Sequence, residues 1–365
     1  MSPAGIATVA RQEFRLRIRA GRWRWLLATF FLVLVAFTVL LRVAIQQLDA
    51  DSLPYAGTIL YGGLMLFVLG LALLVVPALA AQSVNGDRER GTLATLQVTR
   101  LTAGEITLGK FVAAWGTSLV FLALTLPLVA YAMTQGGVPI TRVAILTMVV
   151  ALLMGTVCAV SLWLSSVLAR TTTSGVLAYL AVFAATIGTL ITFGLVTAVT
   201  AERTTRTFTN QCPPGLPPDS GCVPGTEISQ TSQPRTDRTW WLLAPNPFVI
   251  RADAAPQLPV TFDRFGTNPV SGTPQRPGVQ PGDIDPLGQI GRQVRSLRRP
   301  PPDLSANGDT FVTPGLGPGL EPDRPGPLWP TGLAVNVVVG VAALLLTSRR
   351  LRTPSRTLPR GQRVA

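Results

Sequence analysis

The sequence predicts an all-α integral membrane protein. Six transmembrane helices follow an amphipathic N-terminal helix, a cytoplasmic hairpin joins the second and third, and a long Pro-rich extracytoplasmic loop precedes the sixth. Three observations predict this. Of 365 residues, 48% are apolar and 13% charged, where soluble domains carry about a quarter charged residues. Six apolar stretches approach the roughly twenty residues that a helix needs to cross a bilayer core. The basic residues collect on one side of those stretches.

The elements follow in order. In IATVARQEFRLRIRAGRWRW, Ile6, Val9, Ala10 and Phe14 recur at helical spacing, with Arg15 and Arg19 elsewhere around the helix. That pattern predicts an amphipathic helix at the inner membrane surface. The apolar run after it is too long for a signal peptide and no small-x-small cleavage site follows, so it is expected to remain as the first span. The predicted spans are Trp25–Ala44, Thr58–Ala81, Phe111–Met133, Val143–Leu168, Val176–Val199 and Leu328–Thr347, the last holding Asn336. The chain divides accordingly. Residues 1–24 are the N-terminal helix, 25–200 the first five spans with the loop 82–110, 201–330 the outer loop, and 331–365 the sixth span and basic tail.

Charge sets the orientation. Six Arg precede Trp25 and six follow Thr347; Arg88, Arg90, Arg100 and Lys110 lie in the second-to-third loop and Arg170 in the fourth-to-fifth. These 17 basic residues stand against Glu13, Asp87, Glu89 and Glu105, so the whole net charge of +13 falls on one face. The positive-inside rule makes that face cytoplasmic, with both termini there and the plasma membrane the expected location. The pI near 11.2 needs no nucleic acid, because anionic lipid headgroups suit the Arg clusters.

The outer region holds 24 of the 31 prolines. Runs such as RRPPPDLSANGD predict extended linkers rather than a packed domain. Two islands differ. CPPGLPPDSGC places Cys212 and Cys222 around a turn-rich loop on an oxidising side, which favours a disulfide over two free thiols. WWLLAPNPFVI, from Trp240 to Ile250, predicts a short helix or re-entrant turn at the outer interface, or a small apolar plug packed on its own loop.

The stretch GEITLGKF, residues 104–111, fits the phosphate-binding pattern G-x-x-x-x-G-K, but Phe111 stands where a Ser or Thr must hold magnesium. An apolar span follows it instead of a soluble helix, so no ATP site is expected. Gly104 and Gly109 are read as turns and Lys110 as an interfacial anchor, its stem in lipid and its ammonium in water. The rest of the loop is less ordinary. Glu89 to Gln97 has helix-forming character, and Thr102 with Glu105 makes a capping box. A helical hairpin results that either presents charged and apolar groups to a partner or lies self-packed on the membrane.

The segment NGDRERGTLATLQVTRLTAGEITLGKF resembles the signature of type 2 permeases of ATP-binding-cassette (ABC) transporters, at Glu89, Arg90, Gly91, Thr92, Leu93, Leu96, Glu105, Gly109 and Lys110. The resemblance implies a coupling helix in this loop that docks into a groove of a separate ATPase subunit. It implies two permease halves, the second a copy or a homologue, and two ATPase subunits carrying ATP and magnesium. WWLLAPNPFVI resembles the outer segment before the sixth span of such permeases, while the Pro-rich insertion departs from their compact pattern.

Enzymatic chemistry has little to build on. The chain has no His, which removes the commonest general base, and three Cys cannot complete a four-ligand zinc site alone. No catalytic, cofactor-binding or metal-binding residues are predicted. An ion-driven carrier would place ionisable residues within its spans, and only Arg42 comes close. The reading is the permease subunit of an ABC exporter for a hydrophobic or amphipathic substrate; the alternative is a membrane anchor or signalling protein acting through its outer loop.

Overall fold

A computed structural model describes residues 2–19, 21–47, 56–89, 91, 101–210, 225–258, 284–300 and 326–352. Helix α1 (Pro3–Arg19) leads into α2 (Arg22–Gln47), α3 (Ala56–Ala80) and the short α4 (Asn85–Glu89). Then come α5 (Ala103–Ala123), α6 (Leu126–Thr134), α7 (Ile140–Val167), α8 (Thr171–Phe183), a π-helical turn (Ala184–Gly188) and α9 (Thr189–Val199). Six helical segments are long and apolar enough to cross a membrane: Trp23–Gln47, Ala56–Glu89, Ala103–Thr134, Ile140–Val167, Thr171–Val199 and Trp329–Arg350. The second and third run furthest past the apolar stretches that announce them, on to Glu89 and back to Ala103, because the more polar residues at those ends continue the helix. Within the third segment Pro127 supplies no N–H, and the helix breaks between α5 and α6.

The second and fourth spans form the centre, with 56% of each apolar window buried, against 17% for the first and 11% for the fifth. Leu60, Leu64, Val68, Leu69, Leu146, Val150 and Leu153 meet there in one cluster. Small residues bring helices close: a Cβ on Gly63 would lie 2.7 Å from Leu41, and one on Gly62 3.0 Å from Pro286. Phe37 of α2 stacks on Phe67 of α3, ring centroids 3.9 Å apart.

The region after α9 is more structured than its composition suggests. Strands β1 (Glu202–Asn210) and β2 (Gly225–Gln233) pair antiparallel from Glu202 with Gln233 to Asn210 with Gly225. Short helix α10 (Thr236–Thr239), a 3-10 turn (Trp240–Leu243), α11 (Pro247–Ala254) and α12 (Pro286–Ser296) precede α13 (Trp329–Arg350). The expectation of linkers outside the two islands is therefore corrected for β1, β2 and α12, while WWLLAPNPFVI forms a 3-10 turn and the start of a short helix. Ile250, Ala252 and Leu287 enter the bundle's core cluster, which draws α11 and α12 onto the ends of the spans. RRPPPDLSANGD beyond Pro300 and the Cys212–Cys222 pair lie outside the described residues.

Side-chain hydrogen bonds seat α11. Asn246 caps it, accepting from the Phe248 N–H at 2.9 Å, and its amide donates to the Thr186 carbonyl in the π turn at 2.8 Å. A π turn displaces one carbonyl from the regular ladder, and Asn246 uses it. Asn336 of α13 donates to the Pro245 carbonyl at 3.1 Å. A Cβ on Gly332 would sit 2.0 Å from the Ala244 carbonyl oxygen, so only glycine permits this approach. The buried Asp253 carboxylate accepts from the Leu328 and Trp329 N–H groups at the start of α13 and from Arg295 of α12.

Candidate coupling site

The described residues among those singled out around 82–110, Glu89, Gly91, Glu105, Gly109 and Lys110, lie at the end of the bundle that α1 packs against. Helix α1 buries Val9 and half-buries Ile6, Ala10 and Phe14, the predicted apolar face. It packs along α5, where a Cβ on Gly109 would come 2.6 Å from Val9. Gly104 and Gly109 are thus not turns. The whole of GEITLGKF lies within the first turns of α5, a regular helix rather than a phosphate-cradling loop, and Gly109 is the notch that admits α1.

Lys110 is likewise not a solvated anchor. It is 1% exposed. Its ammonium donates to the carboxylates of Glu13 on α1 and Asp87 on α4 and, at 3.0 Å, to the Ser83 carbonyl. Those three partners use all three ammonium donors. Arg17 lies beside this group, with its guanidinium 3.5 Å from the Thr117 hydroxyl. Burial lowers the Arg17 pKa, and the Glu13 charge opposes that. One lysine thereby ties α1, the α3–α4 turn and α5 together.

The α3–α4 turn is held from every side. The Ser165 hydroxyl accepts from the Val84 and Asn85 N–H groups at 3.2 and 3.1 Å. Asn85 donates to the Arg170 carbonyl and Arg88 to the Leu168 carbonyl, each at 3.3 Å. The Ser174 hydroxyl donates to the Ala81 carbonyl at 3.0 Å. Glu89 accepts from the Thr171 N–H at 3.2 Å through one carboxylate oxygen, which ties the start of the loop to the junction between α7 and α8. Gly91 adopts φ +71°, a left-handed conformation that ends the preceding helix at little cost for glycine alone.

The far side of the loop is equally anchored. Thr102 accepts from the Glu105 N–H at 3.3 Å and Glu105 accepts from the Thr102 N–H at 2.8 Å, the expected capping box. The other Glu105 oxygen accepts from the Ser2 N–H at 2.5 Å, a contact no local pattern shows. Arg90, Thr92, Leu93 and Leu96 lie outside the described residues. The described residues stop at Glu89 and Gly91 on one side of that segment and resume at Leu101 and Thr102 on the other. Among the described residues, no group of three or more Cys, Asp or Glu could hold a metal ion.

With this geometry in view, comparison with known families is decisive. The family described as "ABC-2 family transporter protein" matches residues 7–231, from α1 through the five spans into β2. The chain belongs to the ABC-2 transporter family. An ABC-2 protein with six such helices is a multi-pass membrane permease, and its family implies partnership with an ABC ATPase. No curated protein matched the sequence. The family match ends at residue 231, before α11, α12 and α13, so the outer helices and the sixth span of this ABC-2 protein rest on its sequence and structure and not on the family match.

Proposed function

We propose that this permease is the membrane-spanning half of an exporter in the plasma membrane, driven by ATP hydrolysed on two separate ATPase subunits. ATP and magnesium bind there and not on this chain. Residues 89–96 dock into a groove on the ATPase, with Leu93 and Leu96 buried against it and Arg90 orienting the contact. The observation that carries this reading is the anchoring of both loop ends. A rigid mount at Asn85–Glu89 and Thr102–Glu105 turns a push on the loop into movement of α3, α5 and α7 together.

Charge asymmetry supports cytoplasmic termini and an extracytoplasmic 201–330 segment. The outward faces of α2, α9 and α13 expose Leu40, Leu195 and Val338, apolar surface for lipid, a second permease copy and a hydrophobic or amphipathic cargo. Along the outer face of α1, Arg11, Arg15 and Arg19 line a groove with Leu16, a pattern suited to anionic lipid headgroups.

Co-purification tests the coupling. Wild-type permease is expected to bring down an ABC ATPase from native membranes, and Leu96→Asp to lose it while still inserting. Equal recovery of the ATPase by both proteins would overturn the docking assignment, as would tight ATP binding by the isolated chain that Lys110→Ala abolishes. In a Cys-free background, a membrane-impermeant thiol reagent should label Ser271→Cys and spare Ser355→Cys in intact cells. The reverse pattern defeats the orientation.

A further inference from the structure

At the end of the bundle away from α1, four polar residues from four elements are sealed from solvent: Tyr61 of α3, Arg142 of α7, Arg251 of α11 and Asp285 at the start of α12. The Tyr61 hydroxyl is within electrostatic reach of the other three. Arg142 and Asp285 form an ion pair, Nη2 to Oδ2 at 2.5 Å. Their remaining atoms, Nε and Nη1 of Arg142 and Oδ1 of Asp285, have no other hydrogen-bond partner, so the pair is electrically self-contained.

Arg251 is different. It is 0% exposed, and its Nε, Nη1 and Nη2 have no hydrogen-bond partner among the described residues. The nearest alternative carboxylate on its own helix, Asp253, is committed to Leu328, Trp329 and Arg295. The Tyr61 hydroxyl is also buried and unpartnered. Burial lowers the Arg251 pKa to about 10, which leaves the guanidinium charged at neutral pH. A buried cation without a counter-charge is strongly disfavoured, and five N–H donors in a planar fork match the oxygens of a phosphate.

We propose that Arg251, with the Tyr61 hydroxyl as a further donor, receives a phosphate oxyanion between α3, α11 and α12, from a lipid headgroup or from free phosphate. The site lies within two turns of the ends of α3 and α7, near headgroup depth for helices of this length. The Arg142–Asp285 pair borders it: Pro286 seats on Gly62, next to Tyr61, and holds Asp285 against Arg142 instead of Arg251. The assignment rests on this cluster alone and is independent of the direction of transport.

The test uses the purified full-length protein in neutral detergent. Its thermal unfolding is followed against inorganic phosphate, with chloride at matched ionic strength, and separately against phosphatidic acid, with diacylglycerol as the phosphate-free control. The wild type is expected to shift upward in at least one arm. A shift with inorganic phosphate identifies a free-anion site, and a shift with phosphatidic acid alone identifies a headgroup site. Arg251→Leu should weaken the response about 30-fold or more, the loss expected for one partner of a buried charged pair. Tyr61→Phe should weaken it about 5-fold. Arg251→Lys keeps the charge and loses the fork; it is the folded reference if Arg251→Leu does not purify, and should bind about 10-fold more weakly. No shift of the wild type in either arm, or an undiminished shift in these Arg251 variants, overturns the proposal.

Discussion

Two buried cations sit at opposite ends of this permease and differ in one respect. Lys110 meets two carboxylates and a carbonyl from α1, α4 and the turn before it. Arg251 meets no hydrogen-bonding partner among the described residues. Charge within a membrane protein is costly unless paired, so the Lys110 end is complete as a structural joint. The Arg251 end is complete only with something outside the chain.

The largest expected effect comes from breaking the finished joint. Lys110→Met leaves Glu13 and Asp87 facing each other without their cation, and removing one partner of a buried pair costs about 3–5 kcal/mol. Their side chains are 17% and 14% exposed, so the lower end, about 3 kcal/mol, is expected in thermal or chemical unfolding. The triple variant Lys110→Met, Glu13→Gln, Asp87→Asn should recover much of the loss; no recovery would mean that lost packing, not charge, sets the cost.

The opposite sign is expected at Arg251. Replacing a buried ion by an apolar side chain of similar volume is often neutral or stabilising by about 1–4 kcal/mol. Delipidated, phosphate-free Arg251→Leu should therefore unfold at or above the wild-type temperature. A loss as large as that of Lys110→Met would erase the contrast between the two ends.

A smaller effect is expected where α1 crosses α5. Gly109→Leu forces side-chain atoms into the space held by Val9, and overpacking of this kind costs about 1–3 kcal/mol. Release of α1 should appear as faster tryptic cleavage at Arg11 and Arg15, while an unchanged digestion rate would show that α1 is held by the Lys110 joint alone. The smallest is Asn246→Ala. It removes the cap of α11 and the bond to the π turn, at about 1–2 kcal/mol, measurable as a lowered unfolding midpoint with the fold retained.

Much of the architecture was legible from local pattern. The six predicted spans overlap the six helices, because twenty consecutive apolar residues have few other stable arrangements. The capping box at Thr102 and Glu105 was legible because its partners are three residues apart. The apolar stripe of α1 was legible from its 3.6-residue period, though it covers α5 and Gly109 and not lipid alone. The hairpin of β1 and β2 was missed: ERTTRTFTN and GTEISQTSQ carry Thr-rich strand propensity but almost no apolar alternation to reveal it. Lys110 was misread for a different reason. Its partners Glu13 and Asp87 lie 97 and 23 residues away, and a lysine at a span boundary ordinarily reaches water.

The sequence by itself determined the membrane class, the spans, the side on which basic charge collects and the family to which the loop signature belongs. All of these depend on composition, period and spacing along one stretch of chain. Only the tertiary structure decided which charges are removed from water and which of those are answered. Arg142 and Asp285 stand 143 residues apart, and nothing local to Arg142 distinguishes it from Arg251. Desolvation depends on the neighbours that pack around a side chain, and those come from other helices, so a buried pair and a buried unpaired cation look alike until the helices are brought together.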